Sequence, residues 1–182
     1  MPNPVELYEG AVRSARDAVA GTKESQLQDP TPCADWNVQA LVDRMVGGSK
    51  FFNALLTGAQ PAQQEPGSGN RAEFEAVTET MLQATRDPAN IQRQITLGAN
   101  NMAGGEFLPI AFLDTLIHTW DLAKATGQNT DLDPKLVEAC YAMFAPRMDG
   151  LRQSGGEFGP AVPVPDSAST QVRLLGVTGR RA

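Results

Sequence analysis

Leu113-Asp114-Thr115-Leu116-Ile117-His118-Thr119-Trp120-Asp121-Leu122-Ala123 is the stretch that decides the fold. It lies within Leu108 to Thr126, where Ile110, Phe112, Leu113, Leu116, Ile117, Trp120, Leu122 and Ala123 leave little polar surface. A helix that is apolar nearly all round belongs in the middle of a bundle. Its few polar residues are therefore the informative ones. Asp114 and His118 are four apart and project from one face, and Asp121, three further on, continues the stripe. Carboxylate and imidazole at this spacing can form two legs of a divalent metal site. The competing reading is a structural cluster in which a neighbouring carboxylate holds His118. Taken alone this helix favours the cluster, because a metal needs more ligands.

Outward from this helix, the next signal is Asn37, a good N-cap, followed by Val38, Leu41, Val42, Met45, Val46, Phe52, Leu55 and Leu56 at helical spacing. Arg44 falls on the otherwise apolar stripe Leu41, Arg44, Gly48, Phe51, Leu55. It either snorkels its head to solvent along the helix edge or reaches inward, where a guanidinium needs a carboxylate partner. Asp114 is the favoured partner. Gly47-Gly48 is expected to let another backbone approach. Gly47-Gly48-Ser49-Lys50 is discounted as a phosphate loop, since it sits within a helix and lacks the glycine frame.

The remaining elements follow from periodicity and breakers. A helix is predicted over Glu6 to Ala20. A loop covers Gln28 to Trp36, a further loop Ala59 to Asn70, and a helix Ala72 to Thr85. Ile91 to Leu97 alternates with period two and reads as a short strand, pairing with Met102 to Phe107 across Gly98-Ala99-Asn100-Asn101. Asp133-Pro134 opens a helix that stops at Pro146. Phe158 to Pro165 is extended, and a last short helix covers Ala168 to Leu175. The expectation is one domain over residues 1–182, a helical bundle with a small hairpin insertion and extra C-terminal helices.

Composition narrows the function classes. A net charge of −6 and a pI near 4.8 leave no basic face for a phosphate backbone, so nucleic acid is not an expected partner. No apolar run approaches the roughly 18 residues that span a bilayer, so no membrane partner is expected. The N-terminus has neither the basic start nor the apolar stretch of a signal peptide, which points to the cytoplasm. Cys33 and Cys140 form no CxxC pair and read as reduced thiols. Cys33 is a candidate reactive thiol, although a cysteine of this kind is more often buried packing. The single histidine, His118, excludes a His-rich metal site.

Thr31-Pro32-Cys33-Ala34-Asp35-Trp36-Asn37-Val38, with Leu41-Val42-Asp43-Arg44-Met45-Val46-Gly47-Gly48, resembles the signature TPC-x-x-W-x-V … L-V-x-H-x-V-G-G. The Asp114 to Ala123 string resembles its partner, D-x-x-x-H-x-W-D-L-A, and Phe158-Gly159-Pro160 with Val162-Pro163-Val164 also fits. Together they are similar to actinobacterial proteins related to the N-terminal, metal-binding domain of mycothiol-dependent maleylpyruvate isomerase, within the DinB-like superfamily. The resemblance implies a mainly α, four-helix core with one divalent metal, zinc or nickel. It also implies a low-molecular-weight thiol, mycothiol, activated for isomerisation or transfer. Its acid/His pair falls on Asp114 and His118.

Its remaining ligand, a histidine, falls on Arg44. Arginine stays protonated and has no lone pair to give a metal, so an Arg44–Asp114 pair is expected where the metal would sit. Two functions follow as expectations. One is a metal- and thiol-dependent isomerase or transferase, with Arg44 and Asp121 as polar residues of its pocket. The other is a metal-free member that binds a small anionic ligand or a protein partner. Related bundles pair through helices, which makes a homodimer an expectation.

Overall fold

The structure is a computed structural model that describes residues 3–98, 100–153 and 158–182. Asn3 opens the first helix, its side chain accepting from the Val5 N–H, with Pro4 in the first turn; α1 runs Pro4–Gly21. Asn37 does the same for α2 (Val38–Thr57), accepting from the Ala40 N–H at 2.9 Å, and Gly58 ends it at φ 76°, a left-handed conformation glycine takes without strain. Asn70 caps α3 (Arg71–Thr85) through the Glu73 N–H. Three asparagines thus set three helix starts, of which the sequence reading names Asn37 as a cap.

After the short α4 (Pro88–Gln92) come β1 (Gln94–Leu97) and β2 (Asn100–Ala103), an antiparallel hairpin in which Gln94 faces Ala103 and Leu97 faces Asn100. The hairpin exists but is shorter than the sequence suggests. Ile91 and Gln92 finish α4, and residues 104–107 belong to the next helix; Ala99 of the expected turn lies outside the described residues. The physical reason is local. Asp87 caps α4 with Pro88 behind it, so the apolar residue at 91 sits on a helical turn instead of a pleat.

Helix α5 therefore starts four residues before Leu108 and covers Gly104–Ala125. Glu106 reaches back to accept from the Ala103 N–H at 2.9 Å, half of a capping box. Pro109 sits in the second turn, where its missing N–H leaves the Gly105 carbonyl without its intrahelical donor.

Helix α5 is buried along most of its length, as its composition requires. It packs against α1 and α2, while α3 packs against α2 and α1, and these four make the bundle. Ala15, Val19, Leu41, Val42, Met45, Phe74 and Leu122 are buried together in its core. Asp43 ties the loop between α2 and α3 to the bundle: its two carboxylate oxygens accept from the N–H groups of Gly67 (2.6 Å) and Gly69 (2.7 Å). Gly69 is required there, because a Cβ would stand 2.6 Å from Asp43 Oδ1 and 3.0 Å from the Asp43 backbone.

The chain divides into two compact units, one up to Asn129 and one from Thr130 onward. The second contains α6 (Pro134–Phe144), a 3₁₀ turn at Ala145–Arg147, α7 (Met148–Gln153) and α8 (Thr170–Val177), with α6 against α8. Pro146 ends α6 as expected, but the chain resumes helical geometry at Met148, which no periodicity in the sequence announces. The last helix starts two residues later than predicted because Ser169 is its cap, accepting from the Val172 N–H. The fold is the mainly α, DinB-like kind. No helix among the described residues is long and apolar enough to cross a membrane.

Candidate functional site

The polar residues singled out from the sequence meet at one place, between α2, α5 and the loop before α2. Arg44, from the middle of α2, turns inward. Its Nη2 donates to Asp114 Oδ1 at 2.7 Å and its Nη1 to Oδ2 at 3.5 Å, a two-pronged contact with the first acid of the α5 string. The Arg44 side chain is 24% exposed and that of Asp114 18%, so the pair is neither fully desolvated nor a surface pair. Gly48, one turn after Arg44, supplies the space. A Cβ there would stand 2.4 Å from Arg44 Nη1 and 3.5 Å from Asp114 Oδ2. This corrects the expectation that Gly47-Gly48 admits another backbone. Gly48 makes room for the guanidinium, and the nearest atom to a Cβ on Gly47 is the Gln64 Cβ of the loop, at 3.1 Å.

His118, one helical turn beyond Asp114, stands with its Nε2 3.7 Å from Asp114 Oδ1. Its other nitrogen, Nδ1, is 3.1 Å from Asp121 Oδ2. An ionised carboxylate only accepts, so the ring proton of this contact belongs on Nδ1, and Nε2 is the nitrogen turned toward Asp114. Asp121 is fully buried. The same Oδ2 accepts from the Cys33 thiol, with Sγ at 3.4 Å. Asp121 thus lies on the far side of the imidazole from Arg44, joining α5 to the loop before α2.

That loop is fixed by its own hydrogen bonds. Thr31 Oγ1 accepts from the Cys33 N–H at 3.1 Å and donates to the Trp36 carbonyl at 2.8 Å; the Trp36 N–H donates to the Cys33 carbonyl at 2.9 Å. The Pro30–Asn37 bridge closes its ends. The Trp36 ring, half-buried, lies tilted against the His118 ring with centroids 5.7 Å apart. Cys33 is half-buried too and bonded to an acid, in contrast to the packing role expected for it. Sequence reasoning does not place it in the site. The signal that was present is the TPC-x-x-W spacing, which places a thiol and an indole on one short, hydroxyl-stapled turn.

Tyr8 of α1 is a second residue that sequence reasoning misses. Its hydroxyl is buried, and its proton is held well above the ordinary phenol range, chiefly by burial and further by the Asp114 charge, against the opposing pull of Arg16 and Thr115. It therefore remains a neutral phenol beside the charged pair.

A metal at the position the resemblance implies does not fit these residues. Arg44 offers five donors and no lone pair, and its guanidinium occupies both oxygens of the one carboxylate that would ligate there. Asp114 and His118 alone would leave a dication with two protein ligands beside a fixed positive charge. The donor set is wrong.

The helical core and the acid–histidine string on its central helix define a DinB-like bundle protein. The sequence model described as "Mycothiol maleylpyruvate isomerase N-terminal domain" matches residues 8–123, and the chain belongs to that family. Two relatives, each called an uncharacterized protein and coming from two strains of Mycobacterium tuberculosis, are 28% identical over 182 residues, covering 98% of this chain and 98% of theirs. Among solved structures, one titled "Crystal structure of the mycothiol-dependent maleylpyruvate isomerase" superimposes with a TM-score of 0.66 at 12% identity, covering 99% of this chain and 90% of that one. At that identity the likeness concerns the fold.

Proposed function

We propose that this chain is a family member in which an arginine–aspartate ion pair takes the place of the family metal, and that it holds a small anionic molecule at Arg44, beside His118. The two-pronged Arg44–Asp114 contact carries this reading. A guanidinium supplies the positive charge that a partly buried carboxylate needs, as the dication does elsewhere in the family. It also recognises carboxylates by paired hydrogen bonds. A ligand carboxylate would share Arg44 with Asp114, with the Trp36 ring as an apolar wall beside His118. A ligand carrying both a thiol and a carboxylate suits this surface.

Titration calorimetry with N-acetylcysteine and its uncharged amide, in buffer containing a chelator, tests this. The acid is expected to bind and the amide to bind at least tenfold more weakly. Arg44→Ala should lose the difference. Equal binding of both compounds would overturn the reading.

A second reading is an isomerase or transferase that uses zinc or nickel and a mycothiol-like thiol, and the side-by-side Asp114 and His118 favour it. It requires Arg44 to leave Asp114. Metal analysis separates the two. With Cys33 replaced by Ser in both proteins, Arg44→His should gain about one equivalent of zinc over the parent, and adding Asp114→Asn should remove it. Stoichiometric zinc in the Arg44-containing parent would favour the enzyme.

A further inference from the structure

We propose a different metal site on the opposite edge of the same imidazole: Cys33 Sγ, His118 Nδ1 and Asp121 Oδ2 form a three-ligand site for a thiophilic divalent cation such as zinc. One donor atom from each of the three residues lies within 4.8 Å of the other two, and Asp121 Oδ2 stands 3.4 Å from Sγ and 3.1 Å from Nδ1. Ligands on a tetrahedral zinc, with bonds of about 2.0–2.3 Å, stand roughly 3.3–3.8 Å apart. Small side-chain movements therefore suffice.

Two further observations point the same way. His118 and Asp121 are three apart on one buried helix, so their relative positions are set by the rigid backbone of α5. The thiol comes from a turn that Thr31 staples, which fixes the third ligand in advance of binding.

The charges and protons balance. Binding releases the Cys33 thiol proton to solvent, and thiolate plus carboxylate neutralise the dication. The ring proton moves from Nδ1 to Nε2, which faces Asp114 Oδ1 across 3.7 Å. Closed to hydrogen-bond length, that contact would be the carboxylate–histidine–metal relay that orients metal-bound imidazoles. Arg44, in holding Asp114, then acts on this site from outside it. Three protein ligands leave a fourth position open to water or a small thiol. This inference does not rest on anion binding at Arg44.

Cobalt(II) titrated into the full chain after chelator treatment is the test. One equivalent should give a near-ultraviolet sulfur-to-cobalt charge-transfer band together with intense visible bands of tetrahedral cobalt. Cys33→Ser should abolish the charge-transfer band. It should also weaken binding by more than the roughly 10–100-fold expected for Asp114→Asn, which removes only the outer partner. Arg44→Ala should keep the band. Absence of the band in the parent chain, or its survival in Cys33→Ser, would overturn the proposal. A second measurement needs no variant: one equivalent of zinc should protect Cys33 from iodoacetamide, read by peptide mapping. Equal labelling with and without zinc would count equally against the site.

Discussion

A single side chain, Arg44, sets the chemistry on one edge of this site. It donates from two nitrogens to both oxygens of Asp114. Its planar fork is essential to that contact. Arg44→Lys keeps the charge but not the pairing and should destabilise the fold by about 1–2 kcal/mol, while Arg44→Ala, which strands Asp114, should cost about 1–3 kcal/mol, both read by urea unfolding. Gly48→Ala reaches the same pair by another route. Its methyl would occupy the space of Nη1, so the variant should stay folded yet lose the discrimination between N-acetylcysteine and its amide. If Gly48→Ala binds like the parent, the guanidinium is not where recognition occurs. Asp121→Asn trades an acceptor for an amide beside two donors inside the protein, and a loss of about 1–3 kcal/mol is expected on unfolding.

At the level of elements, the corner between α4, the hairpin and α5 shows how closely backbone segments approach. The Gly104 N–H donates to the Arg93 carbonyl at 2.9 Å, and a Cβ on Gly104 would stand 2.3 Å from the Asn90 carbonyl oxygen and 2.8 Å from Leu56 Cδ1. A backbone oxygen cannot swing away as a side-chain tip can. Gly104→Ala should therefore destabilise the protein by about 1–3 kcal/mol, the ordinary range for overpacking, and thermal melting checks it. An unchanged melting temperature would mean that the corner yields more easily than its contacts suggest. The start of α5 at this glycine is hidden in the sequence because Pro109 resembles a first-turn proline, whereas the helix begins five residues earlier. The hairpin is legible as period-two alternation. Its ends are not, since the apolar residues flanking it serve neighbouring helices equally well.

For the molecule as a whole, two buried acids couple folding to alkaline pH. Burial pushes the Cys140 thiol up to about 12, from 9.0 in the open chain, and holds the Tyr8 phenol above its usual 10.0. Both groups are neutral in the fold and ionise more readily once unfolded. Their contribution is intact below the open-chain values, and it declines as the pH rises from about 9 toward the folded values. The slope is about 1.4 kcal/mol per pH unit for each group titrating in the unfolded state. Urea midpoints should therefore hold steady up to about pH 8.5 and then fall, and Cys140→Ala should flatten the first part of that decline. A midpoint that stays constant to about pH 11 would show that neither group is as enclosed as described. Dithionitrobenzoate at neutral pH should accordingly modify Cys33 and spare Cys140 in the native protein.

What the sequence determined by itself was most of the helices, the presence of the hairpin, and the family. Helix caps, apolar periodicity and the two signature strings are local properties, and local properties are written in residue spacing. The i, i+4 relation of Asp114 to His118 and the inward turn of Arg44 were also legible, the latter because a charge on a core stripe demands a nearby opposite charge. Only the tertiary structure decided that Asp121 and Cys33 meet on the far edge of the imidazole, since those residues are 88 positions apart and no periodicity spans a loop and a bundle. It also decided that Gly48 makes room for a guanidinium. Which neighbour fills the space beside a glycine is fixed by how helices pack against one another, and packing is a property of the assembled chain.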